Sequence, residues 1–168
     1  SPTQDGSSTR VEPSLPVPEC ADSWTAASAW EDPGMDWKLE VVVLPVADVE
    51  GAKEFYVDRL GFGLDVDNQI SDSFRVVQVT PPGSACSITF GTGMSGAEPG
   101  SVKGLQLVVS DIDKAAAQLN DHGVENSGIK HFDNGVQQPG KGGPWNSFLF
   151  FDDPDGNSWA SQEKPADA

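Results

Sequence analysis

Groups able to do acid–base or nucleophilic chemistry are few in this chain and badly spaced for it. There are two histidines, His122 and His131, and two cysteines, Cys20 and Cys86. Neither histidine stands near a suggestive serine or cysteine, so no Ser–His–Asp or Cys–His arrangement is legible. The glycine run "GTGMSG" (91–96) lacks both the lysine and the strand–turn–helix setting of a phosphate loop. His122 closes a helical pattern, where an imidazolium complements the helix C-terminus. His131 opens a long Gly/Pro stretch and is the histidine able to reach a cleft. Arg75 is the one arginine in the predicted sheet, placed to meet an anionic ligand or an acidic neighbour. The remaining chemistry is recognition by flat side chains. Trp145 and Trp159 offer stacking surfaces, and Phe148, Phe150 and Phe151 share one strand, so they divide between core and cleft.

A weak internal repeat supplies the elements that position these groups. "LPVADVEGAKEFYVDRLGF" (44–62) is answered by "LVVSDIDKAAAQLNDHGV" (107–124), with Asp48 matching Asp111. Each copy holds a β-branched run, an aspartate suited to cap a helix, an amphipathic helical stripe and a glycine. Residues 62–67, 74–80 and 85–90 read as strands after the first helix. Residues 124–130, 147–151 and 158–162 read as strands after the second, with 131–146 a long loop. The pattern is βαβββ twice, two halves around one core.

Bulk composition narrows the function classes. The 168 residues give room for one core, and 26 acidic against 10 basic residues leave a formal charge of −16. That balance argues against nucleic acid and against an anionic membrane surface, and suits a cationic small molecule or plain solubility. No stretch is apolar enough to span a bilayer, and no intact signal peptide begins the sequence. Two cysteines make no disulfide framework, so cytoplasmic residence is the default expectation, with pairing of Cys20 and Cys86 left open. Residues 1–36 form an acidic Pro/Ser-rich extension. Its Trp24 and Trp30 are expected to dock on the domain, around residues 21–30.

The two βαβββ halves, the helix opening after "V-x-D" and the closing "FDDPDGNSWASQE" resemble the vicinal oxygen chelate superfamily, the glyoxalase, bleomycin-resistance and extradiol dioxygenase group. "KLEVVVLPVADVEGAKEFY" and "SFRVVQVTPPGSACSITFGTG" are similar to small glyoxalase-like proteins of actinobacteria. The resemblance covers residues 37–163. It implies an α+β fold in which two modules form an open, curved mixed-sheet barrel with helices outside and a cleft between halves 37–91 and 102–164. In metal-dependent relatives, His, Glu or Gln ligands come from the first and last strands of each half. The matching positions here hold Val41, a residue near Thr89, Gly104 and Ala160, a poor donor set for a divalent metal. Taking position 41 as cleft-facing, alternation adds Val43, Ser87, Thr89, Gln106 and Ser158 to Val41 and Ala160 as lining residues. Arg75, His131, Trp145 and Phe148 are added as polar and aromatic candidates. The resulting expectation is a metal-independent binder of a small organic molecule, cationic or aromatic, with no cofactor and with a homodimer as the related binders form. The alternative is a divergent lyase, isomerase or dioxygenase-like enzyme using Gln106, His131 or Arg75, with a divalent metal in an unusual site.

Overall fold

The computed structural model describes residues 34–168, and Leu39–Ala168 forms one compact unit. The expectations for Cys20, Trp24 and Trp30 fall outside the described residues. The first half begins with β1 (Val41–Val43). Asp48 then caps α1, its carboxylate accepting the Gly51 N–H at 3.0 Å. Helix α1 runs as an α-helix over Val49–Lys53 and widens into a π-helical turn over Glu54–Arg59. Within the wider turn the adjacent residues Phe55 and Tyr56 are both buried. Gly61, at φ +74°, ends the element in a conformation that a side chain would resist. Strands β2 (Gly63–Ser71), β3 (Phe74–Thr80) and β4 (Ser87–Thr92) complete a sheet of order β1-β4-β3-β2, with β1 parallel to β4.

The second half repeats the opening. After β5 (Leu105–Val109), Asp111 accepts the Lys114 N–H at 3.0 Å and starts α2 (Ile112–Asp121). Beyond α2 the expected order fails. Residues 124–129 are not a strand, because the Asn126 side chain bonds the Val124 carbonyl and the Gly128 N–H and turns the chain out of a ladder. Residues expected as loop instead form a hairpin, β6 (Lys130–Asp133) and β7 (Val136–Pro139). Its two-residue turn is Asn134-Gly135, at φ +50° and +79°, the left-handed pair that matches strand twist. Strands β8 (Phe148–Asp152) and β9 (Ser158–Glu163) close a sheet of order β5-β9-β8-β6-β7, with β5 parallel to β9. Among the described residues neither sheet closes into a barrel. The fold is α+β, two open mixed sheets each with a helix.

One face of each sheet enters a shared core. Val77, Val79, Ile88 and Phe90 pack with Phe55, Tyr56 and Phe62, and Leu149, Phe151 and Trp159 pack with Ile112 and Leu119. Tyr56 joins the halves. Its hydroxyl donates to Asp153 Oδ2 at 2.7 Å and accepts from Trp159 Nε1 at 3.0 Å. Asn157 adds a second seam, donating to the Pro45 carbonyl at 3.0 Å and accepting the Val102 N–H at 3.1 Å. The "DPDGN-x-W" segment is therefore a lock between halves as well as a turn.

Candidate ligand-binding surface

Each sheet has a second face, away from that core, and the strand register assigns its residues. In the first sheet Val41 pairs with Ser87, Val43 with Thr89, Thr89 with Gln78, and Gln78 with Val66. Val41 and Val43 are each 42% exposed, whereas Ser87 and Thr89 are buried beside them. Thr89 Oγ1 donates to the Val77 carbonyl at 2.9 Å, and Ser87 Oγ lies 2.6 Å from Thr80 Oγ1. In the second sheet Gln106 pairs with Ala160 and Val108 with Gln162, while Phe150 and Phe148 stand opposite Ala160 and Gln162. Ser158 stands opposite Asp152 at the strand end.

The aromatic groups divide by face. Phe148 and Phe150 stack with ring centroids 6.0 Å apart and planes 8° from parallel. Phe132 of β6 meets Phe148 edge-on at 5.4 Å and is 38% exposed. Phe151 instead stacks on Trp159 in the core, so Trp159 is a packing residue rather than a ligand platform. Trp145 stands near the rim of the open face. Gln106 Nε2 donates to Gln162 Oε1 at 2.5 Å, and Gln162 Nε2 donates to the Trp145 carbonyl at 2.7 Å. Trp145 is 45% exposed and holds φ +59° inside a turn closed by Asn146 N–H to the Gly143 carbonyl. A bulky residue in that region is strained, and such strain concentrates at working sites.

Two sequence candidates lie on the wrong face. Arg75 shares the parity of Val77 and Val79, so it points to the helix side. There it grips Asp67 through Nε and Nη2, each at 3.0 Å, and also Glu50. These bonds, with Lys53, hold the Asp67 carboxyl down to about 2. Its acidic neighbours account for Arg75. His131 alternates with Lys130, which stands opposite Phe148, so the ring turns from the phenylalanine face. Its Nδ1 meets the Gly140 carbonyl at 2.9 Å. Val41, Val43, Ser87, Thr89, Gln106, Phe148, Ser158 and Ala160 lie on the open faces. Phe132 belongs with them although its segment reads as loop; the Asn-Gly pair that follows was the signal for it.

The chemistry of the donor set does not fit a catalytic divalent metal at the superfamily positions. Val41, Gly104 and Ala160 have no donor atom, and the Thr89 hydroxyl is committed to a backbone carbonyl. Asp111, Asp113 and Glu163 form an acidic trio elsewhere, and Lys141 already bridges Asp113 and Glu163 at 3.1 and 3.3 Å. A cavity of about 840 Å³ lies between α1, residues 123–127 and 150–154. A groove of about 400 Å³ lies between residues 59–62, Pro81-Pro82, β5 and α2. None of the eleven sequence candidates lines either. The open faces are surfaces in a single chain.

Two open sheets, each with a first strand parallel to its last and a capped helix between, define a duplicated α+β scaffold. The chain belongs to the Glyoxalase/Bleomycin resistance protein/Dioxygenase superfamily, whose family model matches residues 38–160. It is similar to TnmS3, an antibiotic binding protein from Streptomyces sp. CB03234, at 32% identity over 77% of this chain and 97% of that one, with a TM-score of 0.63. It is also similar to a glyoxalase/bleomycin resistance protein from the same organism, at 33% identity over 75% and 100% of the two chains, with a TM-score of 0.61. A superfamily member from Sphaerobacter thermophilus DSM 20745 matches at 32% identity over 77% and 98%, with a TM-score of 0.61. Among curated proteins none matches.

Proposed function

We propose that this protein binds a small planar organic molecule, aromatic and cationic, on the open faces of its two sheets, and that a second copy of the chain completes the cleft. One observation carries the reading: the half-exposed ring group of Phe132, Phe148 and Phe150, with Trp145 near its rim. Exposed rings arranged this way offer stacking area at little entropic cost. The Gln106–Gln162–Trp145 chain beside them supplies neutral hydrogen-bonding groups that fix orientation without performing proton transfer. The likeness to an antibiotic binding protein supports a drug-like ligand. The reading calls for no cofactor, since the residues at the superfamily's metal positions supply no ligand set.

Calorimetric titration of the full chain with bleomycin and with proflavine tests this. Binding at micromolar concentration is expected for at least one of them. Absence of binding by both up to high micromolar concentration would overturn it. Elemental analysis of the purified protein is the companion measurement, and one equivalent of divalent metal would return the enzyme reading to first place.

A further inference from the structure

The open face of the first sheet carries a feature that the alternation of its strands does not anticipate. Between Leu64 and Val66 the register of β2 against β3 shifts by one residue. Gly63 stands opposite Thr80 and Val66 opposite Gln78, so this bulge sets the successive residues Asp65 and Val66 on the same open face. The Asp65 carboxylate accepts a hydrogen bond from Thr80 Oγ1, and Thr80 Oγ1 in turn meets Ser87 Oγ at 2.6 Å.

Counting hydrogens gives this cluster a direction. A hydroxyl has one hydrogen, and a carboxylate only accepts. Thr80 gives its hydrogen to Asp65, so Ser87 must give its own to Thr80. Thr89 gives its hydrogen to the Val77 carbonyl. All three hydroxyls have therefore spent their donors. What remains toward solvent is acceptor capacity, from hydroxyl lone pairs and from an exposed carboxylate using one of its sites. Four of the described cations are engaged elsewhere: Lys53 and Arg75 on Asp67, Lys141 on Asp113 and Glu163, and Lys103 on the Gly156 carbonyl. Among the described residues no lysine or arginine lies within ion-pair distance of Asp65.

We infer that Asp65, braced by Thr80 and Ser87, is the residue that selects a cationic ligand, taking its protonated amine or amidinium against the first sheet. This rests on the reading of the open faces as the binding surface and adds the charge it recognises. An ammonium offers up to three donors and no acceptor, the complement of the acceptors that Asp65 and its two hydroxyls present. Charge-assisted bonds are roughly twice as strong as neutral ones, so a neutral hydroxyl is the poorer occupant. A single carboxylate with two hydroxyls is too small a set for a divalent ion, which favours an organic cation.

Two planar tricyclic probes separate this inference from the proposal beneath it: proflavine, a cation at neutral pH, and acridone, which is neutral. The wild-type chain is expected to bind proflavine at least ~10-fold more tightly, the scale of one charge-assisted contact. Asp65→Asn keeps an acceptor for Thr80 and removes the charge. It should lose about that tenfold for proflavine and leave acridone unchanged. Asp72→Asn, an exposed aspartate in the β2–β3 turn, removes the same net charge and should change neither affinity. Equal proflavine affinity in wild type and Asp65→Asn overturns the inference while leaving the binding function intact. So does an equal loss for both probes, or an equal loss in Asp72→Asn, which would assign the preference to net charge. Failure of both probes to bind the wild type overturns the inference, and failure of bleomycin as well overturns the binding function beneath it.

Discussion

Trp145 poses the sharpest conflict between folding and use at the level of a single residue. Its backbone sits at φ +59° in the third position of a Gly143–Asn146 turn, where glycine or asparagine meets no penalty. Replacing it with glycine should raise stability by about 1 kcal/mol in urea denaturation, by relieving that strain. The same substitution should weaken binding of a planar probe severalfold, by removing a platform worth ~1 kcal/mol. Opposite signs from one substitution identify a residue kept for the ligand; a loss of stability would assign Trp145 to packing. Tyr56 makes the contrasting case. Burial first, then Asp153, raises the pKa of its hydroxyl far above the usual tyrosine value. The folded state holds that proton more tightly than the unfolded chain, so its stabilising effect is complete below pH ~10 and declines as pH rises above it. Tyr56→Phe leaves the buried Trp159 N–H without its acceptor and should cost about 2 kcal/mol at neutral pH. The variant should also lose this part of the alkaline destabilisation, which pH-dependent melting would show.

At the level of elements, the helices were legible and the second hairpin was not. Asp48 and Asp111 each stand where a capping aspartate must, three residues before the N–H it accepts, so both helix starts follow from spacing alone. The βββ run of the first half followed from its β-branched pattern. The second half failed where side chains compete with the backbone: Asn126 closes its own turn inside a stretch whose apolar residues suggest a strand. The β6–β7 hairpin carries few apolar residues, so periodicity passes over it, yet Asn134-Gly135 marks it. The faces of Arg75 and His131 follow from parity with Val77 and with Lys130, once the strands are aligned. The Asp65 cluster does not, because a bulge breaks the parity that sequence counting relies on. The hairpin also holds Phe132 against Phe148. Gly135→Ala places a methyl group at φ +79° and should cost about 1 kcal/mol. Hydrogen exchange should then quicken at the β6–β7 amides and leave β3 and β4 protected. Uniform quickening throughout would show instead that the hairpin folds as part of the core.

For the whole molecule, the open faces raise the question of what covers them. Val41, Val43, Val66, Val108, Phe132 and Trp145 are all exposed by more than a third, and β2 is an edge strand exposed along its full length. A second copy is the occupant proposed above, and a stable pair requires roughly 800 Å² from each partner. Charge opposes the pairing, because every copy brings −16. At low ionic strength like charges on the two copies repel across a long Debye length; at 0.1 M salt that length falls to about 10 Å and the apolar contact prevails. Sedimentation equilibrium should therefore show dimerisation strengthening as salt rises. Proflavine binding per site should weaken over the same range, because attraction to Asp65 is screened. A ligand that engages both copies must also raise the dimer fraction by mass action. Val43→Asp places a charge on the open face without touching the core and should shift the chain to monomer and weaken proflavine binding together. A monomer that binds with undiminished affinity would restrict the site to one chain, and the faces of the two sheets would then act independently.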